Sequence, residues 1–112
     1  MRNMAVSAQW ILLLVRGLVS GESAQRERYA DTVVDLVGSY SRAEVITLAG
    51  VISAVAAVEE DMDALEAELS ALLNLGGSGF LRTEHLACLE QIDRAHTPGV
   101  LLEYVDDLLD PG

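Results

Sequence analysis

Apolar residues recur every three or four positions through most of this chain, a spacing that is typical of amphipathic helices and not of strands. Glycines, prolines and short polar stretches divide the pattern into six segments. The predicted helices cover Ala5–Val19, Ser23–Val37, the stretch from Ser41 through Val55, Asp61–Leu75, Thr83–Asp93 and a last segment that opens at Thr97 and Pro98. The sequence therefore predicts an all-α fold in which residues 1–112 form one domain of five to six helices, as an antiparallel bundle or a short repeat-like stack.

Capping residues mark several of the predicted boundaries. Ser41 is followed three positions later by Glu44, which predicts a capping box at the start of the third helix. Gly38 favours a helix end before it, and Pro98 favours the first turn of the last helix. The apolar pattern changes phase near Glu59–Asp61, so we expect a tight turn there.

The predicted core is aliphatic, because 51% of the residues are apolar but only 4% are aromatic. The uncharged stretch Val45–Val58 predicts a helix in the middle of the bundle, since it is shorter than the about 20 residues that span a bilayer. Arg16 interrupts the apolar run Met4–Val19, which favours a core helix over a signal peptide. We expect Trp10 and Tyr104 in the core, with an interface as the alternative for Tyr104.

The sequence does not indicate a catalytic or metal-binding site. Asp61 and Asp63 begin like a calcium loop, but Leu65 occupies the next ligand position and the required glycine is missing. His85 and Cys88 have no second pair with which to bind zinc, which favours a surface histidine and a small core thiol. A single cysteine excludes an internal disulfide and fits the cytoplasm. We expect no enzymatic activity, no metal and no cofactor.

Charge is distributed unevenly along the chain, whose formal net charge is −11. Residues 1–42 contain five arginines and four acids, for a net charge of +1, whereas residues 43–112 contain two arginines and fourteen acids, for a net charge of −12. A negative field of this kind repels nucleic acid and anionic lipid and attracts a basic partner. We therefore expect a protein partner, with no nucleic acid and no membrane.

Two groups of acids, one at the predicted turn after the third helix and one near the C-terminus, are the candidate binding residues. The alternative is that they form the solvated face of amphipathic helices. The predicted partner-binding residues are Glu59, Glu60, Asp61, Asp63, Glu66, Glu68, Glu103, Tyr104, Asp106 and Asp107.

Four short segments give the chain a resemblance to a known class of proteins. They are Leu18-Val19-Ser20-Gly21-Glu22 before an arginine-rich helix, Arg42-Ala43-Glu44, Thr83-Glu84-His85-Leu86, and Glu103-Tyr104-Val105-Asp106-Asp107-Leu108. With the acidic, helical composition, the chain resembles the small immunity proteins of bacterial polymorphic and contact-dependent inhibition toxins. The resemblance implies a cytoplasmic antitoxin that binds a cognate toxin domain 1:1, often a basic nuclease, and blocks its active site or substrate groove.

Two other classes remain open from the sequence. A helical adaptor or self-associating subunit is indicated by the apolar first helix, which could pair with a second copy. An enzyme would require a cleft into which several of the clustered carboxylates converge. We treat the first as the alternative to an immunity protein and the second as the weaker hypothesis.

Overall fold

Helices account for almost all the regular structure. The structure is a computed structural model that describes residues 3–111, and for residues 3–7 it describes only the backbone. The α-helices in this range are α1 (Asn3–Leu18), α2 (Ser23–Asp35), α3 (Arg42–Ala57), α4 (Met62–Gly76) and α5 (Gly99–Leu109). Three 3₁₀ helices cover Val37–Ser39, Thr83–Gln91 and Arg94–His96. The predicted all-α fold is confirmed.

The capping box predicted before α3 is present. The Glu44 amide donates to Ser41 Oγ at 3.2 Å, and the Ser41 amide donates to Glu44 Oε1 at 2.8 Å. The predicted turn after this helix is also confirmed, because α3 ends at Ala57 and α4 begins at Met62. These two boundaries fix the corner at which the acidic residues begin.

The core forms around α4, which packs against α2, α3 and α5. α1 covers α2 and α3 on one side, and the 3₁₀ helix Thr83–Gln91 packs against α3 and α5 on the other. The buried side chains are mainly leucine, valine, isoleucine and alanine, as the composition predicts. None of the helices within the described range has both the length and the apolar character needed to cross a membrane.

A glycine allows α1 and α2 to approach closely. Gly17 is buried, and a Cβ atom at this position would overlap the ring of Tyr29. Any larger residue would therefore push the two helices apart. This contact orients the end of α1 and the start of α2, where Ser20 and Arg26 take part in the site described below.

The helix predicted over Thr83–Asp93 is present, but it is a 3₁₀ helix over Thr83–Gln91 and not an α-helix. Its inward residues were predicted correctly: Leu86, Leu89 and Ile92 are all buried. Leu86 and Leu89 are spaced three residues apart, and a 3₁₀ helix has three residues per turn, so both lie on one face. Ile92 is buried directly after the helix end.

Several predicted core positions are exposed instead. Trp10 is 40% exposed, and the thiol residue Cys88 lies at the surface. α3 is not enclosed on all sides, since Gly50 and Ala54 are exposed. Small residues leave little apolar surface in water, so their exposure costs little. The most enclosed helix is α4.

Candidate partner-binding surface

An ion pair that spans 33 residues holds the corner between α3 and α4. Arg26 Nε and Nη2 each donate to one oxygen of Glu59 at 2.7 Å, and Nη1 donates to the Ser20 carbonyl at 2.8 Å. The Asp61 amide also donates to Glu59 Oε2, at 3.1 Å. The Glu59 side chain has no exposed surface. This carboxylate therefore ties α2 to the α3–α4 corner from inside the molecule.

A second acid lies in the interior beside this pair. Glu68 on α4 is fully buried, and no N–H or O–H group of the described residues donates a hydrogen bond to its carboxyl oxygens. An ionised carboxylate in such a place would lose its hydration without compensation. Protonation removes that cost, because a neutral carboxyl can donate a hydrogen bond towards the nearby Glu59 carboxylate.

The pKa values of the two buried acids, Glu59 and Glu68, are shifted in opposite directions. Burial, reinforced by the neighbouring negative charge of Glu59, raises the pKa of Glu68 to about 10. Burial would also raise the pKa of Glu59, but the hydrogen bonds from Arg26 and Glu68 outweigh it and lower the pKa to about 2. The hydrogen bond with Glu59 raises the pKa of Arg26 in turn. At neutral pH the cluster is thus one neutral acid beside one balanced ion pair.

The remaining acids of the corner have different surroundings. Asp61 Oδ1 accepts a hydrogen bond from the Ala64 amide at 2.9 Å and so caps the start of α4. Glu60, Asp63 and Glu66 are exposed. Glu59 and Glu68 do not belong to this outer face, so the structure does not place all six predicted acids on one surface.

α5 presents the most continuous acidic stripe of the described chain. Leu101, Val105 and Leu108 are buried, and the opposite side of the helix is exposed and acidic. Tyr104 is half-buried and packs against the core from the border between the two sides. The exposed acids of the stripe are Glu103, Asp106 and Asp107, and Asp110 is exposed directly after the end of the helix.

One basic side chain reaches this stripe. Arg94 Nη2 contacts Asp106 Oδ1 at 3.0 Å, and both side chains are more than half exposed. Exposed pairs of this kind contribute about 0–1 kcal/mol, so the contact leaves most of the negative potential in place. A cationic group can therefore contact these carboxylates without first breaking a strong ion pair.

Open clefts lie next to both groups of exposed acids. Val58 and Glu60 are exposed and stand between two clefts of about 290 and 330 Å³, one formed with Val19 and Arg26 and the other with Ile92 and its neighbours. A third cleft, of about 270 Å³, lies among α4, the Thr83–Gln91 helix and α5. Its lining residues are Leu73, Gly76, Leu81, Arg82, Thr83, Leu86, Asp107, Leu108 and Pro111.

Apolar side chains and acids together line these clefts. Among the described residues no three His, Cys, Asp or Glu side chains are grouped as a metal ion would require. His85 Nδ1 accepts a hydrogen bond from the Arg82 amide at 3.0 Å, which gives this histidine a structural role at the start of the Thr83–Gln91 helix. The exposed acids and clefts are suited to contacting another molecule.

Sequence reasoning missed the inner cluster, although one signal was present. Glu68 lies within the apolar stripe of α4, three residues after Leu65 and four before Leu72, and a helix places these on one face. An acid in such a position is either buried or a break in the stripe. Its neighbour Arg26 is 42 residues away, and no local pattern links the two.

Fold and surface together define a small all-helical domain with an acidic outer face. The chain matches no protein-family model, no curated protein and no solved structure.

Proposed function

We propose that this protein is a non-catalytic immunity protein that binds a basic bacterial toxin domain and occludes it. The observation that carries the proposal is the exposed acidic stripe of α5. Glu103 and Asp107 are four residues apart on the side of the helix opposite the buried Leu101 and Val105, and the exposed Asp110 follows directly after the helix end.

An acidic stripe beside an apolar cleft matches what a tight protein interface needs. Charged rims set the rate and specificity of association, whereas buried apolar and aromatic anchors supply most of the binding energy. Here Asp107 lies at the third cleft, next to Leu73 and Leu86. A cationic loop with one apolar side chain would be complementary to both parts.

The corner between α3 and α4 offers a second set of contacts of the same chemistry. Val58 is 77% exposed and projects beside the exposed carboxylate of Glu60. The Arg26–Glu59 pair holds this corner in place, so little ordering would be needed on binding. Preorganisation of this kind increases affinity because less entropy is lost.

The test uses the C-terminal domain of the protein encoded directly upstream of this gene. We expect that domain to arrest growth when it is expressed alone in bacteria and to be harmless when this protein is co-expressed. The purified pair should elute as a 1:1 complex whose affinity falls as salt rises, because exposed charges are screened. A neighbouring domain that is harmless alone, or that forms no complex, would contradict the proposal.

A further inference from the structure

The outward side of α1 carries a group of large exposed apolar side chains. Leu12 is 68% exposed and Leu13 is 40% exposed, although both are leucines in the middle of a helix. Beside them Trp10, the only tryptophan of the chain, is also 40% exposed. Contiguous apolar surface of this kind on a soluble domain marks a site of association.

The exposed stripe has a sequence that is complementary to itself. Gln9, Leu12, Leu13 and Arg16 are all exposed and follow the i, i+3, i+4, i+7 spacing of one helix face. A twofold axis between Leu12 and Leu13 would place each leucine opposite the other leucine of a second, antiparallel helix. The same axis places Gln9 opposite Arg16, where the guanidinium can donate to the amide oxygen.

Charge also favours α1 over α4 and α5 as the face that meets a second copy. Arg16 is the only charged residue of α1, and residues 1–42 have a net charge of +1. Residues 43–112 have a net charge of −12, so two copies approaching through α4 or α5 would repel each other. α1 contains no acidic residue, so that repulsion is weaker there.

From these observations we propose that the protein forms a twofold symmetric dimer through antiparallel pairing of α1 with α1 of a second copy. The inference is independent of the toxin-binding proposal, because it uses no residue of α5 or of the α3–α4 corner. An interface made of one helix pair buries less than about 1,200 Å², which is the lower end of the area that stable interfaces bury. We therefore expect a weak dimer, with a dissociation constant in the micromolar range.

Sedimentation of the full chain from about 1 µM to about 1 mM tests this range. We expect the mass to rise from the monomer value of 12.0 kDa towards twice that value. The fluorescence of Trp10 should shift to shorter wavelength over the same concentrations, because the ring leaves water on pairing. A mass that stays at 12.0 kDa throughout would overturn the proposal.

Variants of α1 test the antiparallel geometry itself. Gln9→Glu should tighten the dimer about three- to tenfold, because each new carboxylate faces an arginine across the axis. Gln9→Arg should weaken it, because two arginines then meet. The exchange of both residues in Gln9→Arg/Arg16→Gln should restore it. In a parallel pair Gln9 would face Gln9, so weakening by Gln9→Glu would overturn the antiparallel arrangement.

A substitution of Leu12 tests whether the exposed side of α1 forms the dimer interface. Leu12→Gln should weaken the dimer at least about tenfold without unfolding the monomer, since this side chain contributes little to the core. The matched control is Val100→Gln, which changes an exposed apolar residue on α5 that is 58% exposed, against 68% for Leu12. Loss of the dimer in the control alone would place the interface elsewhere. Co-sedimentation of a monomer with phosphatidylcholine vesicles would assign the face to lipid and overturn the proposal.

Discussion

Two acids near the α3–α4 corner look like the acids of α5 in the sequence but occupy the opposite environment. Glu59 and Glu68 point into the molecule, one paired with Arg26 and the other fully buried. Glu103 and Asp107 point into solvent. A run of acids along a chain therefore does not by itself indicate an acidic surface. Which of the acids are exposed depends on the position of each residue around its helix.

The physical cost of each group differs accordingly. Burying a carboxylate requires a cation with good geometry or a proton, and the inner cluster uses one of each. Exposed carboxylates keep their hydration and cost almost nothing for folding, so they are free to serve binding. We therefore expect substitutions of the inner acids to change stability and substitutions of the outer acids to change association.

The largest expected effect is the loss of Arg26. Arg26→Ala leaves the buried Glu59 carboxylate without its cation, so the free energy of unfolding should fall by about 3–5 kcal/mol. Urea denaturation measures this change. The matched control is Arg28→Ala, an exposed arginine on the same helix, which should cost less than about 0.5 kcal/mol. Equal losses in the two variants would contradict a structural role for the inner pair.

The next effect concerns pH. The pKa of Glu68 rises from 4.5 to about 10 on folding, so the folded state holds a proton that the unfolded state releases between these values. The contribution of this proton to stability is therefore complete below about pH 4.5 and is lost as pH rises towards 10. We expect the urea midpoint of the wild type to fall between pH 5 and pH 9.

Glu68→Gln isolates this term, because an amide is neutral at every pH in that range. The variant should match the wild type near pH 5 and be more stable than it at pH 9, and its midpoint should change less with pH. Glu66→Gln is the control, as an exposed acid on the same helix that should keep the wild-type slope. A slope unchanged by Glu68→Gln would show that the buried carboxyl does not titrate as described.

A smaller effect is expected at the helix cap. Asp61→Ala removes the acceptor for the Ala64 amide and should lower the free energy of unfolding by about 1 kcal/mol. Asp63→Ala changes an exposed acid two residues later that makes no cap, and it should cost less. If both substitutions had the same effect in thermal denaturation, the capping role of Asp61 would be wrong.

Local patterns in the sequence predicted much of the fold. The apolar spacing located all five α-helices, and Ser41 with Glu44 located the start of α3. The same reasoning missed that Thr83–Gln91 is a 3₁₀ helix, since its inward residues at three-residue spacing fit either helix over so short a span. Trp10 was placed in the core because aromatic size favours burial, but the helices leave one side of α1 uncovered.

The candidate site was predicted less completely than the fold. The exposure of the α5 acids follows from the periodicity of a single helix, so the local sequence was enough to predict it. The Glu59 side chain is enclosed together with Arg26, which lies 33 residues earlier. A contact between residues so far apart leaves no recognisable pattern in a single sequence. The number of acids is therefore known from composition, but composition does not predict which of them face inward.

The central claim is that the outer acids bind a basic partner and the inner acids do not. It is tested most directly by the dissociation constant of the complex with the proposed upstream toxin domain, measured for three variants. Glu103→Arg/Asp107→Arg/Asp110→Arg should weaken binding at least about 100-fold, more than Glu22→Arg/Asp31→Arg/Asp35→Arg, which changes the net charge equally on exposed sites elsewhere. Glu68→Gln should leave it unchanged. Equal weakening by the two triple variants, or no weakening by the α5 variant, would contradict the claim.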